Sequence, residues 1–324
     1  MEILKYILKR ILAAIPILFI VSLISFFIIR LSPIDPIGEL RLNPAISQET
    51  LNLEIQRLGL DKPVAIQYFY WLKSFVKGDL GVSTSGESVA SRLWERVPNT
   101  LLLSVVVIFC TWAIAIPLGI IAAVNRNKFI DKFMTVFTSI GMAIPSFFLA
   151  ILLLIFAVKS GLFPTGGLTS YNFSQMSPFH KIIDIAHHLF LPAFVLIVIS
   201  IAGLQRQMRG NLLDVLGSDY VKFARAKGLS ENKVIYKHAL RNAINPMITL
   251  LGFEFASLLS GAALTEYVFQ YPGLGRLVLE AVLKSDINIV MASLMLGTIM
   301  LILGNLFADI MLKLVDPTIG DVKS

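Results

Sequence analysis

The sequence predicts an all-α, polytopic membrane protein with six transmembrane helices, and three observations predict it. The chain of 324 residues is 56% hydrophobic and only 15% charged, with a mean hydropathy of +0.77; a soluble domain of that length needs far more charged surface. The charge is bunched. Ile11–Ile29, Val97–Asn125, Phe133–Val158, Ile185–Gln205 and Ile287–Ala308 contain no Asp, Glu, Lys or Arg, and Asn242–Thr265 is interrupted only by Glu254. Each run is near the roughly 20 apolar residues that a helix needs to cross a hydrocarbon core. None alternates like a strand, and lipid admits only helices or closed barrels.

The first run follows Lys5, Lys9 and Arg10, as a secretory signal would. Its apolar core is too long for one, and Leu31-Ser-Pro-Ile-Asp35 is a poor cleavage site, so an uncleaved helix is expected. In the segment 32–96, Ser47 is placed to cap a helix running to about Leu58, with Gly59 as its stop. An amphipathic helix is expected from Pro63 to Val76, stopped by Gly78, and Tyr68, Phe69, Tyr70, Trp71 and Trp94 suit a membrane–water boundary. Small residues recur every fourth position at Ala115, Gly119 and Ala123 and at Gly252, Ala256 and Ser260, a pattern that lets helices approach closely, within the chain or in a partner. Pro16, Pro117, Pro145 and Pro246 are expected to interrupt the helical hydrogen-bond ladder.

Six spans place both termini on one side. That side carries Lys5, Lys9, Arg10, Arg126, Lys128 and Lys132, together with the basic stretch from Arg206 to Arg241. The short loops opposite carry only Lys159, Lys181, Arg276 and Lys284, so both termini are expected in the cytoplasm. The organisation expected is an N-terminus and first helix (1–31), an external segment (32–96), a five-helix core with a cytoplasmic loop at 206–241 (97–316), and a cytoplasmic tail (317–324). The net charge of +7 reflects these basic loops, and nucleic acid is not an expected partner. The single cysteine, Cys110, precludes an intrachain disulfide and a cysteine metal cluster.

Catalytic chemistry is not expected. The chain has no G-x-x-x-x-G-K-[ST] phosphate loop, no G-x-S-x-G and no H-E-x-x-H, so it is not expected to hydrolyse nucleotide itself. Glu254 is the one acid deep in a span; it either lines a path or is hydrogen-bonded against another helix. His180, Asp184 and His188 share a helical face beside the fourth span, the spacing of a metal site, although interfacial helices also carry such residues innocently. The loop from Asp219 to Ala243 reads as helix, Gly228-Leu-Ser230 turn, helix, with Gly228 left-handed and Ser230 as a cap. Ala224 and Ala226 leave small-residue surface ringed by Lys222, Arg225 and Lys227, which suits a groove on a soluble partner or, more blandly, anionic lipid.

Tyr220-Val-x-x-Ala224-Arg225-Ala226-Lys227-Gly228-Leu-Ser230, followed by His238-Ala-Leu-Arg-Asn-Ala243, resembles the coupling-loop signature of binding-protein-dependent ABC importer permeases. More narrowly, it resembles the dipeptide/oligopeptide/nickel branch, in which Lys222, Phe223 and Arg241 are habitual departures from the general signature. Leu58-Gly-Leu-Asp-Lys-Pro63, Gly78-Asp-Leu-Gly-Val-Ser83, Gly141-x-x-x-Pro145, His188-Leu-x-Leu-Pro192, Glu266-x-Val-Phe-x-x-Pro-Gly-Leu-Gly275, Asn305-Leu-x-Ala-Asp309 and Asp316-Pro317 extend the resemblance over nearly the whole chain. It implies the transmembrane domain of a type I ABC importer: a multi-pass inner-membrane protein without a cofactor. Its implied partners are a second homologous permease, two cytoplasmic ATPases and an extracytoplasmic solute-binding protein. The loop around Gly228 would be the coupling helix, and the cargo a peptide or a related solute such as a nickel chelate. An ion-coupled secondary transporter or channel is the alternative, although no inverted repeat supports it.

Overall fold

The computed structural model describes residues 2–31, 37–38, 41, 46–57 and 59–315, and within these the side chains other than 2–6, 30–31, 54, 57, 255–261 and 312–315. Leu58, Asp316-Pro317 and the 317–324 tail lie outside them. Among the described residues everything regular is helical; the sole β feature is an isolated antiparallel bridge between Val82 and Ser88. The contacts divide the chain into one unit of Met1–Thr100 with Pro272–Ile302 and another of Leu101–Tyr271 with Leu303–Ser324.

In the first unit, α1 (Glu2–Leu31) carries Pro16 without ending. The segment after it forms α2 (Gln48–Arg57) and α3 (Val64–Val76) at the expected places. Ser47 Oγ accepts the Thr50 backbone N–H at 3.1 Å, closing the first turn of α2, and Gly59 and Gly78 stop the two helices with positive φ. Phe26, Tyr68 and Met291 form the core, flanked by Leu23, Trp71, Leu72 and Ile287. Tyr68 therefore departs from the expected boundary position: it is only 2% exposed, and its hydroxyl meets Ser22 Oγ at 2.9 Å inside this core. Phe69, Tyr70 and Trp94 do remain exposed. Helix α4 (Val89–Val124) begins in this unit. Two later helices, which we call α13 (Leu274–Leu283) and α14 (Ile287–Val315), return to it. Buried Asp286 ties the 83–84 turn to α14, accepting Ser83 Oγ at 2.5 Å, the Thr84 N–H at 2.9 Å and the Ile289 N–H at 3.2 Å.

The second unit is built on α7 (Pro178–Leu216), 39 residues long, with α5 (Phe129–Ala143) and α6 (Ser146–Ser160) against it. The expected single span from Phe133 to Val158 is broken: α5 and α6 meet at 87°. The cause is local, since a residue before proline is pushed out of the helical region and Ile144 is extended at φ −90°, ψ 124°. Glycine permits the closest approach. A Cβ on Gly141 would stand 2.7 Å from the Val198 carbonyl oxygen, and one on Gly119 would stand 2.7 Å from Met208 Cβ. The Ala115, Gly119 and Ala123 stripe is thus spent on packing within the chain, with Ala115 and Ala123 in one core with Leu204, Met208 and Leu212. After α7 come α8 (Asp219–Ala226), α9 (Glu231–Lys233), a π-helical stretch (Val234–Ala239), α10 (Leu240–Ala243), α11 (Asn245–Gly261) and α12 (Ala263–Val268).

Among the described residues four helices are long and apolar enough to cross a membrane, Ile7–Ile29, Val89–Val124, Pro178–Leu216 and Ile287–Met311, or five if the bent α5–α6 pair is one span. The sixth expected crossing corresponds to α11, whose 17 residues sit at the lower limit of about 17–25 for a bilayer helix. Pro117 and Pro192 lie inside continuous helices, and Pro246 sits in the first turn of α11, where its missing N–H costs no hydrogen bond.

Candidate functional site

The loop between α7 and α11 is a folded knuckle whose shape follows from its sequence. In α8, Val221 and Ala224 are spaced to share one face, and both are buried in the core with Leu212, Val234 and Ile235. The other face is exposed and carries Tyr220, Lys222, Phe223 and Lys227. Ala224, expected to offer surface, is turned inward and 8% exposed, whereas Ala226 is exposed. The helix ends in a Schellman turn: the Gly228 N–H bonds the Arg225 carbonyl at 2.9 Å and the Leu229 N–H the Ala224 carbonyl at 3.4 Å. This turn places Gly228 at φ 78°, as expected, where a side chain is strained. Ser230 stands at the N-cap of the next turn, but its hydroxyl makes no capping bond.

The turn is buttressed from outside. Arg225 donates through Nη2 to Glu231 Oε1 at 2.6 Å and through Nε to Oε2 at 3.1 Å. This hydrogen bonding holds the Glu231 carboxyl below its ordinary pKa and raises that of Arg225. Arg225 is therefore a strut rather than a rim charge awaiting a partner. Asn242 Nδ2 donates to the Tyr220 hydroxyl at 2.7 Å, tying α8 to the end of α10, and Lys227 Nζ lies 4.6 Å from the Phe223 ring centroid. Half-buried His238 belongs to the π-helical stretch, whose Val234, Ile235 and Ala239 are buried. The result is a braced turn whose exposed face is aromatic and cationic.

Glu254 is half-buried on α11, and Trp112 Nε1 donates to its Oε2 at 2.6 Å. Of the two packings left open for the Gly252 stripe, within the chain or on a partner, Gly252 takes the first. A Cβ there would lie 2.8 Å from Asn305 Oδ1 and 2.9 Å from the Gly304 carbonyl, so this glycine packs on the chain's own α14. The side chains of Ala256 and Ser260 lie outside the described ones.

The His180, Asp184 and His188 face has three separate uses. His180 Nδ1 meets Ser177 Oγ at 2.8 Å, where Ser177 caps α7. Asp184 accepts the Ser170 N–H at 2.8 Å and Ser170 Oγ at 2.5 Å, anchoring the preceding loop. His188 Nδ1 donates to the Asp184 carbonyl at 2.8 Å. Among the described residues no three His, Cys, Asp or Glu side chains gather as a metal site.

The sequence reading missed Phe223, Glu231, Trp112 and Asp131. Phe223 stands at one of the departures from the signature's general form, and Glu231 directly follows its Ser230. For Trp112 and Asp131 the partners lie 142 and 78 residues away, beyond any local pattern.

Apolar helices long enough to span and a braced loop between α7 and α11 place the chain in the class of polytopic membrane proteins. Residues 115–321 match the family described as binding-protein-dependent transport system inner membrane component, and residues 3–104 match the N-terminal region of the same class. The chain is 41% identical over 317 residues to an oligopeptide transport system permease protein, AppB, of Bacillus subtilis, covering 97% of this chain and 98% of that one. It is 36% identical over 318 residues to a glutathione transport system permease protein, GsiC, of Escherichia coli, covering 98% and 99%. A crystal structure of the MetNI methionine ABC transporter in an inward-facing conformation shares the fold at TM-score 0.54 and 19% identity, over 69% of this chain and 95% of that one. The chain belongs to the binding-protein-dependent ABC importer permeases. It is a transport subunit rather than an enzyme, and the ion-coupled alternative falls away.

Proposed function

We propose that this chain forms half of a translocation path for peptides. It pairs with a second, homologous permease, receives cargo from an external solute-binding protein and is driven by two cytoplasmic ATPases. The observation that carries this reading is the knuckle: a Schellman-closed, ion-pair-braced turn at the end of α8, which follows directly on the 39-residue α7, is a stiff handle. Gly228 sets its bend. Tyr220, Phe223, Lys222 and Lys227 form the face that meets an ATPase groove, while Ala224, Arg225, Ala226 and His238 shape or border it. ATP binds one arrangement of the ATPases better than the other, and a stiff handle transmits that difference to the path. The peptide assignment takes support from relatives named for oligopeptide and glutathione transport.

Gly228→Val tests it, because a β-branched residue is strongly disfavoured in the left-handed conformation. The variant is expected to insert normally and to lose ATPase association or cargo-coupled hydrolysis. Full transport at normal expression refutes the handle. The proposed orientation has both termini and Ser230 in the cytoplasm and 32–96 outside. Cysteines at Ser85 and Ser170 should then react with an impermeant thiol reagent in intact cells, and one at Ser230 should not. Glu254 is proposed to line the path, its Oε2 held by Trp112. Glu254→Gln, which keeps the shape and removes the charge, should assemble yet transport poorly, and unchanged uptake returns Glu254 to a structural role.

A further inference from the structure

Just before the knuckle, α7 is clamped to α5. Arg209, within the last two turns of α7, donates through Nε to Asp131 Oδ1 at 2.6 Å and through Nη2 to Oδ2 at 2.7 Å. Asp131 is 3% exposed in the first turn of α5. The Asn127 N–H also reaches Asp131 Oδ2 at 2.9 Å, from a left-handed residue at φ 64°. Farther along the same pair of helices Arg206 Nη2 donates to Ser139 Oγ at 2.8 Å, and Gly141 lies against Val198. Contacts from the Asp131 fork to Gly141, about three helical turns, thus fix α5 on α7 up to the 87° bend into α6.

Apolar packing and the Gly141 contact already hold the helices together, but apolar surfaces can slide and roll. A forked guanidinium–carboxylate pair is directional and resists both. In a buried site it also cannot open without stranding a charge. We infer that Asp131 and Arg209 are positioning residues for coupling: the fork forces α5 to follow the end of α7, so that movement of the knuckle reaches the bend at Ile144–Pro145. This rests on the knuckle being the ATPase handle.

The test uses the complete importer, with both permeases, the ATPases and the binding protein, in proteoliposomes. Asp131→Asn keeps an acceptor for the Asn127 N–H and one bond to Arg209 but removes the charge. It is expected to leave ATPase association intact and to lower cargo imported per ATP hydrolysed by about tenfold, within the usual range for coupling between sites. Spin labels at cysteines replacing Val136 on α5 and Asp214 in the last turn of α7, which are exposed, in a Cys110→Ser background report the pair directly. Their separation should stay fixed between ATP-free and ATP-bound states with the native fork, and should shift or broaden with Asp131→Asn. A merely structural role would lower assembly and leave import per ATP unchanged. Native import per ATP at matched assembly, or an ATP-dependent separation with the fork intact, overturns the inference. If Asp131→Asn does not assemble, Arg209→Lys, which keeps the charge and loses the fork, decides by the same two measurements. Failure of the handle reading shows separately, as Gly228→Val retaining ATPase association and coupling.

Discussion

Replacing Gly141 with alanine adds one methyl group at a close approach between α5 and α7. The new Cβ would stand 2.7 Å from the Val198 carbonyl oxygen and 2.8 Å from Val198 Cγ1, against an ordinary contact of at least 3.4 Å. Something must shift for that contact to leave the range below 3.0 Å, and a full 0.7 Å is needed to reach ordinary contact at 3.4 Å. The obstructing atom is backbone, so no side-chain rotation relieves it. Overpacking of this kind costs about 1–3 kcal/mol, while alanine recovers roughly 0.5–1 kcal/mol of helix preference over glycine. Gly203→Ala is the control, because a Cβ there meets nothing within 4 Å on the same helix α7. It receives the same helix gain without the clash, so the difference between the two variants isolates the clash at about 1–3 kcal/mol. Cys110 supplies the assay: it is the only cysteine, free and half-buried, so a thiol-reactive dye reports its exposure during thermal unfolding of the purified chain. Gly141→Ala should unfold at a lower temperature than both the parent and Gly203→Ala. Equal midpoints for the two variants refute the close approach.

Other outcomes follow from named contacts. Asp286→Ala strands the Thr84 N–H and uncaps α14, which should cost about 2–4 kcal/mol and make the 79–88 segment a site of limited proteolysis; native resistance refutes the anchor. Tyr68→Phe removes the buried bond to Ser22 and should lower stability by about 1–2 kcal/mol, read by the same dye. The Arg225–Glu231 pair lowers the Glu231 pKa, so its contribution is fully present above the ordinary glutamate value of 4.5 and is lost as pH falls through the lower folded value. Because both side chains are more than a third exposed, the effect is at most about 1 kcal/mol. The protection of the Gly228 and Leu229 amides against hydrogen exchange, taken relative to the intrinsic rate at each pH, should fall on acidification in the parent more than in Glu231→Gln; identical pH profiles refute the strut.

The apolar runs were legible because a bilayer imposes its requirement residue by residue, and no distant contact can excuse a charged stretch there. Turn chemistry was legible for a similar reason: Ser47, Gly59, Gly78 and Gly228 act on their own backbone, and each stands where the sequence placed it. Pro145 announced the interruption, and the extended Ile144 before it supplies the break, but the size of the 87° angle is not written in either residue. Tyr68 and Tyr70 are two residues apart with the same chemistry; only the Ser22 and Phe26 side of α1 draws one inward.

Charges were the hardest to read. A positive-inside count treats Arg209, Lys222, Arg225 and Lys227 alike, as basic residues of one loop. What separates them is the partner. Arg209 forks onto a buried carboxylate 78 residues away, and Arg225 reaches Glu231 six residues on, across a left-handed glycine. Neither distance is a helical spacing of three or four, so charge-pattern rules pass over both. Lys222 meets only Asp219, which is almost fully solvated, and Lys227 rests on the exposed Phe223 ring. Two arginines therefore fix the shape of the projection while two lysines remain on its surface. The division matches the side chains: a planar fork suits a directional strut, and a flexible ammonium suits a face that must engage and release a moving partner.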